Sequence, residues 1–395
     1  MKIAVIGLGV GYALSCCLAE VGHDTIGIDI DPNIVKQPRE DPSIKKLLLK
    51  KNKVIERNLK LSTDYSKIKG CKIAIICVST GDEHRLHIGS VANAIRSCIN
   101  NLEPGSTILV YSTLPIGSSK LIINIFKEEN AENIDYVYMP LMIAQGKTAD
   151  GFINPPFVVF GSYDEYAAEE TKTFYLDFIK KSFFWNKKIP PNFTSSPEEA
   201  EIIKLSTNAF LFTKMSFANM TSMFCEELNL DSYKILDVIG SDPRIGKKML
   251  KPGYAVGGNC FPRDLDSLIE TYEKNKIKSP LFNSIREINN LRLKDPIIKM
   301  KKNGIYEGKI LLLGASYKSG VPMLSNSPSI KLRDLLKHED YEVVIYDPKI
   351  EEFNKIPEID EFDAIIITID EPEFAEILNK LKTKLLLDYR MKFNE

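Results

Sequence analysis

Apolar and polar positions along the first 195 residues predict strands and helices in alternation. The short apolar runs that predict buried strands lie at residues 2–6, 25–28, 72–78, 107–111, 136–139, 157–160 and 183–185. The stretches between them whose apolar residues recur at helical spacing are 10–21, 88–101 and 117–129. A chain that alternates in this way favours a doubly wound parallel sheet, so we expect an α/β fold.

The middle of the chain predicts a long helix. Ser196-Pro197-Glu198-Glu199 supplies an N-cap serine, a proline in the first turn and acidic residues after it. No proline or glycine interrupts residues 198–239, so we expect a helix to about Leu228 and then a shorter one. We expect so long a helix to support a domain or dimer interface.

The last ninety residues return to the alternating pattern. Strands are predicted at 309–313, 342–346, 364–368 and 385–387, with a helix at 328–338. We therefore expect a Rossmann-like domain over residues 1–194, a central helical dimerisation region over 195–300, and a smaller Rossmann-like α/β domain over 301–395.

Composition narrows the class of protein. The net charge of -1 argues against a nucleic-acid-binding protein. Apart from the N-terminus, no apolar stretch approaches the roughly 20 residues that are needed to span a membrane. The N-terminus resembles a lipoprotein signal that ends at Cys16-Cys17, but its three glycines and the strand that follows argue against that reading. The seven cysteines include no C-x-x-C pair. That usage suits a reducing compartment, so we expect a cytoplasmic protein.

The loop after the first strand indicates a dinucleotide site. Gly7, Gly9 and Gly11 follow the strand, although the third glycine of the usual G-x-G-x-x-G comes one residue early. Such glycines let backbone N–H groups approach a pyrophosphate at a helix N-terminus. Asp29, at the end of the second strand, would bind ribose hydroxyls and repel a 2′-phosphate, which favours NAD over NADP. The alternative is a tight structural turn.

A second candidate centre is the segment from Gly257 to Asp264. Pro262 suits the first turn of a helix, so Cys260 would lie at a helix N-terminus, where the dipole and Arg263 favour the thiolate. The two preceding glycines would leave the thiol approachable, and Asp264 would share its helical face. The alternative is an inert core cysteine, which is what we expect of the other six.

Two further polar residues, Lys204 and Asn208, are one helical turn apart on the long helix. They could point into a cleft and stabilise an alkoxide or a water, although spacing alone favours solvated positions. His84 and His87 are expected in a solvated loop, and we expect no metal site.

These stretches together resemble the UDP-glucose/GDP-mannose dehydrogenase family over nearly the whole chain. The matching segments are the glycine loop, Cys77–Thr80, Ser112–Gly117, Glu199–Ala209, Asp242–Gly246, Gly257–Asp264, Tyr317-Lys318 and Asn326–Pro328. The resemblance implies oxidation of the C6 alcohol of a nucleotide-sugar to a carboxylate with two NAD. It also implies a homodimer, because Arg244 looks like the arginine that reaches a neighbouring subunit's substrate.

The resemblance also implies residue roles. Cys260 would form a thiohemiacetal and then a thioester, Lys204 and Asp264 would act with a water on protons and oxyanions, and Asn208 would orient sugar and water. Ser118, where Thr is common, joins the catalytic set. The implied cofactor contacts are Gly7, Gly9, Val10, Gly11, Asp29, Ser79, Thr80, Thr113, Ser118 and Arg263. The implied substrate contacts are Leu141, Gln145, Lys204, Asn208, Arg244, Tyr254, Gly257 and Lys318.

Three departures from the family pattern change these expectations. The glycine loop lacks one residue, Leu141 and Gln145 stand where the family has acids, and Ser325 stands where it has an arginine. General-base help is typically worth about 10²–10⁴-fold, so we expect a slow or altered thioester hydrolysis. The shortened loop and the lost arginine predict weaker NAD binding.

The substrate remains open at the level of sequence. Asp242–Gly246 resembles the UDP-glucose branch, which makes UDP-glucose the first expectation, whereas Lys251–Gly258 looks more like the GDP-mannose branch. An N-acetylated UDP-hexose is a third possibility. The alternative of a different class is a diverged, non-catalytic homologue that binds a nucleotide-sugar.

Overall fold

The computed structural model describes residues 1–38, 40–82, 85–143, 146–357, 361–379 and 382–390. The chain divides into two compact units, Met1–Ser206 and Thr207–Glu395. The expected three-part division at 194 and 300 stays a prediction.

The first unit is built on an eight-stranded sheet. Its strands are β1 Lys2–Ile6, β2 Asp24–Ile28, β3 Leu59–Ser62, β4 Ile73–Ile76, β5 Thr107–Val110, β6 Asp135–Tyr138, β7 Val158–Gly161 and β8 Asn192–Ser195. Their order is β3-β2-β1-β4-β5-β6-β7-β8, and only the β6–β7 pairing is antiparallel. The expected α/β architecture is therefore confirmed.

Helices cover both faces of this sheet. They are α1 Leu8–Glu20, α2 Pro32–Lys36, α3 Pro42–Asn58, α4 Gly89–Ile99, α5 Ser118–Glu128, α6 Thr148–Ile153 and α7 Glu165–Lys181, and α8 Pro197–Glu227 begins in this unit. Along β1, Ile3 and Val5 pack into one apolar cluster, whereas Ala4 and Ile6 pack into another. A strand buried on both faces explains why β1 is a continuous apolar run.

Two local predictions in this unit are wrong. Residues 183–185 form no strand: after α7 the chain turns, with the Trp185 N–H donating to the Ser182 carbonyl, and Phe184 and Trp185 pack on the core from this turn. The last strand of the sheet is β8 instead. Helix α1 also begins at Leu8 rather than Val10, because Gly7 alone makes the turn from β1.

The second unit contains the rest of α8 and a smaller sheet. Its other helices are α9 Ser232–Gly240, α10 Phe261–Lys274, α11 Pro280–Lys302, α12 Pro328–His338 and α13 Phe374–Leu378. Strands β9 Lys309–Leu313, β10 Glu342–Tyr346, β11 Glu361–Ile367 and β12 Lys382–Asp388 pair in parallel in the order β10-β9-β11-β12. The predicted second α/β sheet is thus present. Within the described ranges, no helix is both long enough and apolar enough to cross a membrane.

Candidate active site

The glycine loop connects β1 to α1 through one residue. Gly7 has φ +90°, and a Cβ there would lie 2.8 Å from the Val78 amide nitrogen. A Cβ at Gly11 would lie 2.9 Å from Val5 Cγ1, so this glycine lets the helix pack against the sheet. Around Gly9, in contrast, nothing lies within 4 Å of the Cβ position. Gly7 and Gly11 therefore serve packing, whereas Gly9 leaves open space at the start of the helix.

Asp29 is fixed beside the start of this helix. Its Oδ2 accepts a hydrogen bond of 2.7 Å from the Leu8 N–H, and its Oδ1 accepts one of 3.0 Å from the Asp31 N–H. A carboxylate offers about four acceptor positions, so positions remain for ribose hydroxyls. Gly9 and Val10 are exposed in the first turn of α1, where helix N–H groups lack intrahelical partners. The donors, the open space and the carboxylate together fit a dinucleotide.

The other residues expected beside a cofactor follow neighbouring strands. Ser79 and Thr80 come after β4, which pairs with β1, and Thr113 comes after β5, which pairs with β4. Ser79 is exposed and Thr80 is buried. Ligands of open α/β sheets bind outside the carboxyl ends of the strands, so the three residues lie at the appropriate edge. Ser118, buried at the start of α5, donates to the Pro115 carbonyl over 2.6 Å.

Sequence reasoning missed Glu201, which fixes the start of α5. Its side chain is fully buried and accepts hydrogen bonds from the Gly117 N–H at 2.6 Å, the Ser119 N–H at 2.7 Å and the Ser119 hydroxyl at 2.6 Å. Burial raises the pKa of Glu201, although the three donors act in the opposite direction. An acid next to buried Ala200 on an apolar helix face was the available signal.

Lys204 is buried, and its Nζ donates to the Leu141 carbonyl oxygen over 2.7 Å. Leu141, which stands where the family has an acid, thus meets this ammonium through its main chain. Asn208 is buried as well, so the solvated reading of both residues is wrong. Gln145, the second lost acid, lies outside the described residues, as does His84.

In the second unit, Cys260 immediately precedes α10, and Pro262 lies in the first turn as predicted. Cys260 is exposed, whereas the other six cysteines are buried. Burial raises the pKa of the Cys71 thiol to about 11 and that of Cys16 to about 12, which keeps those thiols protonated. Cys260 is therefore the cysteine that a solute can reach.

Asp264 lies one turn after Cys260 and is almost fully buried. Its Oδ2 accepts a 2.6 Å hydrogen bond from Asn208 Nδ2, and Arg263 Nη2 lies 3.5 Å from its Oδ1. The Asp264 N–H donates to the Cys260 carbonyl, so the helix begins early enough to place both residues on one face.

The two glycines before Cys260 serve a purpose that the sequence did not indicate. A Cβ at Gly257 would lie 2.4 Å from Pro328 Cδ, and Gly258, with φ +78°, would place one 2.7 Å from Tyr317 Cε2. They were expected to leave the thiol approachable. The structure shows that they let this loop pack closely against residues 317–328.

Three residues expected to contact substrate differ in exposure. Arg244 is exposed and forms an ion pair of 2.6 Å with Asp242. Lys318 is exposed and pairs with Val321 in a short antiparallel bridge. Tyr254 is buried, and its hydroxyl donates to the Leu293 carbonyl, so its side chain gives the expected substrate contact no support. Among the described residues, no group of three or more His, Cys, Asp or Glu side chains could hold a metal ion.

Comparison with known proteins matches three successive parts of the chain to one family. The models of the UDP-glucose/GDP-mannose dehydrogenase family match residues 1–179 as the NAD binding domain, 198–291 as the central domain and 311–395 as the UDP binding domain.

Individual relatives match over nearly their whole length. The UDP-glucose 6-dehydrogenase AglM of Haloferax volcanii is 26% identical over 99% of this chain and 96% of its own. The UDP-N-acetyl-D-mannosamine dehydrogenase of Pyrococcus horikoshii is 26% identical over 99% and 95%. A solved structure of UDP-D-ManNAc dehydrogenase from Pyrococcus horikoshii has a TM-score of 0.87 at 24% identity, covering 100% of this chain and 97% of that one.

Proposed function

The chain belongs to the UDP-glucose/GDP-mannose dehydrogenase family, and from this membership we propose that it oxidises UDP-glucose to UDP-glucuronate with NAD. The family and its relatives indicate an NAD-dependent nucleotide-sugar 6-dehydrogenase. Among the possible substrates we choose UDP-glucose for two reasons. AglM is a UDP-glucose 6-dehydrogenase, and Asp242–Gly246 resembles the UDP-glucose branch of the family. UDP-N-acetyl-D-mannosamine is the second candidate, supported by the Pyrococcus horikoshii relative.

The observation that carries the proposal is Cys260, the exposed cysteine at the start of α10, with buried Asp264 one turn later. In the proposed reaction, C6 loses a hydride and its hydroxyl loses a proton, which gives an aldehyde. The Cys260 thiolate adds to the aldehyde carbon and forms a thiohemiacetal. Loss of a second hydride from C6, together with the hydroxyl proton of the thiohemiacetal, gives a thioester, which water cleaves to the carboxylate and the free thiol. Bound NAD would accept the hydride in each oxidation.

The proposed roles of the polar residues follow from their charge. The Lys204 ammonium would stabilise oxyanions, and Asp264 would accept protons through a water. Asn208, which holds the Asp264 carboxylate over 2.6 Å, would fix the direction in which that group accepts. Leu141 offers a carbonyl but no carboxylate, so the proposed hydrolysis step has less base assistance than the family pattern provides.

The test is NADH absorbance with UDP-glucose, UDP-N-acetylmannosamine and GDP-mannose. We expect turnover that is highest with UDP-glucose and is lost in Cys260→Ala and in Lys204→Ala, since the first removes the nucleophile and the second the buried cation. Cys225→Ala, a change of a buried cysteine, is the matched control and should retain turnover. Calorimetric binding of a nucleotide-sugar without turnover of any would instead support a non-catalytic homologue.

We also propose that the protein acts as a homodimer assembled through α8. Phe210, Phe217 and Phe224 recur every seven residues and are 66%, 43% and 67% exposed. Met220, 50% exposed, lies on the same face. An apolar stripe of this length on one helix is typical of an interaction surface, and a second copy of the same stripe is a matching partner.

A further inference from the structure

The loop that carries Cys260 is held by a segment far away in sequence. We define the Cys loop as Gly257–Cys260 and the pinning segment as Tyr317–Pro328, which connects β9 to α12. The Ser325 hydroxyl donates a 2.7 Å hydrogen bond to Asn259 Oδ1, and the Gly258 N–H donates a 3.1 Å hydrogen bond to the Asn326 carbonyl. The first hydrogen bond thus holds the side chain of Asn259, which is adjacent to Cys260, and the second holds the backbone of Gly258, two residues before Cys260.

The pinning segment is itself anchored to the second sheet. The Ser327 hydroxyl donates to the Ala315 carbonyl and accepts a 3.2 Å hydrogen bond from the Ser329 N–H at the start of α12. The Ser327 N–H donates to the Leu324 carbonyl over 2.9 Å. Ser325 therefore projects from a turn whose position is set by β9 and α12.

The Cys loop needs such an anchor. Two consecutive glycines have more backbone freedom than any other residue pair, so the loop would sample many conformations without outside contacts. Gly257 and Gly258 instead pack directly on Pro328 and Tyr317, where a Cβ would lie within 2.7 Å of either side chain. A nucleophile must be held in a narrow range of positions to attack, so the contacts that fix this loop affect the chemical step.

We propose that Ser325 is a positioning residue for Cys260: its hydroxyl holds Asn259, and through Asn259 it holds the Cys260 thiol at the start of α10. The proposal rests on the proposed function, in which Cys260 is the nucleophile. At this position the family has an arginine expected beside the cofactor. In this chain the shorter side chain makes a contact to the nucleophile's loop instead.

The test compares four single variants and one double variant, Ser325→Ala/Asn259→Ala. Ser325→Ala removes the hydroxyl, Ser325→Thr keeps it, and Asn259→Ala removes the acceptor. Ser319→Ala, at an exposed serine of the same segment, is the matched control. The readouts are kcat and KM from NADH production, and the rate of Cys260 alkylation by iodoacetamide between pH 6 and pH 9 without substrate. Thermal melting identifies any variant that fails to fold.

We expect Ser325→Ala to lower kcat about five- to tenfold, the effect of one lost hydrogen bond in the reacting geometry, with both KM values within about twofold. Alkylation at pH 7 should slow about threefold, because a thiol that leaves the helix N-terminus loses stabilisation of its thiolate. Ser325→Thr and Ser319→Ala should match the wild type. The double variant Ser325→Ala/Asn259→Ala should be no slower than the poorer single variant.

Two results would overturn the proposal. One is additive losses in the double variant, which would mean that the two side chains act independently. The other is a raised KM for NAD with unchanged kcat and alkylation, which would mean that Ser325 serves the cofactor as the arginine does. If no nucleotide-sugar is turned over, the proposed function fails, while alkylation alone still shows whether Ser325 holds the thiol.

Discussion

Glu201 shows how a single residue can determine the start of an element at the candidate site. Replacing its carboxylate by the amide of Glu201→Gln directs an NH2 group at donors from Gly117 and Ser119. We expect a loss of about 1–3 kcal/mol in the free energy of unfolding at pH 7, measured with urea. The control is Glu227→Gln on the same helix, whose ion pair with Lys302 is exposed and should cost less than about 1 kcal/mol.

The pH dependence of that difference has a definite sign. Because burial raises the pKa of Glu201 in the folded state, the folded protein binds this proton more readily than the unfolded chain does. The stabilisation that Glu201 contributes is fully present below its pKa in the unfolded chain. It is lost as the pH rises through its pKa in the folded protein. The stability margin of wild type over Glu201→Gln should therefore grow as the pH falls from 7 towards 4. A margin that shrinks would mean that the three donors, not burial, dominate.

The sequence alone could identify those site residues that neighbouring positions in the chain mark as functional. Cys260 is recognisable because Pro262, two residues later, indicates the first turn of a helix, and Asp29 because it follows the strand that comes after the glycine loop. Glu201 and Ser325 could not be assigned roles, since their partners lie more than 60 residues away and are brought together only by packing. The same holds for the burial of Lys204, which helical spacing left open between solvent and interior.

At the scale of elements, the spacing of the apolar residues was sufficient to predict most strands of both sheets. The strand predicted at residues 183–185 is absent: three consecutive aromatic residues have the composition of a strand, but Phe184 and Trp185 pack on the core from a turn whose Phe183 N–H donates to Glu20. Helix α11 was not predicted; in the structure this segment is helical from Pro280 to Lys302, with Pro296 inside it.

Two glycines in the first turns of α1, the exposed Gly9 and the buried Gly11, should separate binding from packing. Gly11→Ala places a Cβ 2.9 Å from Val5 and 3.1 Å from Cys77, so we expect a loss of about 1–3 kcal/mol in stability by thermal or urea denaturation. Gly9→Ala meets nothing within 4 Å and should leave stability unchanged.

The matched measurement is calorimetric NAD affinity. Gly9→Ala should weaken binding several-fold, because its methyl group lies where the pyrophosphate would approach the helix N-terminus. Unchanged affinity in Gly9→Ala would show that the shortened loop holds the cofactor by other contacts.

In the molecule as a whole, each unit has a glycine turn after one strand and an aspartate after the next, but the two aspartates differ in their hydrogen bonding. Gly7 and Gly314 both have positive φ and donate their N–H to the last residue of the next strand, Ile28 or Tyr346. An aspartate follows each of those strands. Asp347 accepts four hydrogen bonds within the protein and is fully buried, whereas Asp29 accepts two. The buried Asp347 carboxylate is therefore held by the protein itself, whereas the Asp29 carboxylate keeps acceptor positions that ribose hydroxyls could use.

The apolar stripe on α8 leads to a prediction about assembly. Light scattering during gel filtration should give wild type twice the chain mass of 44.6 kDa. Phe217→Glu/Phe224→Glu should run as a monomer, because pairing two copies would then bury unpaired carboxylates in an apolar contact. Ile356→Glu, which changes an apolar residue that is 62% exposed elsewhere, controls for added charge and should remain dimeric. Circular dichroism verifies that each variant is folded. A monomeric wild type, or a double variant of unchanged mass, would show that this stripe is not the interface.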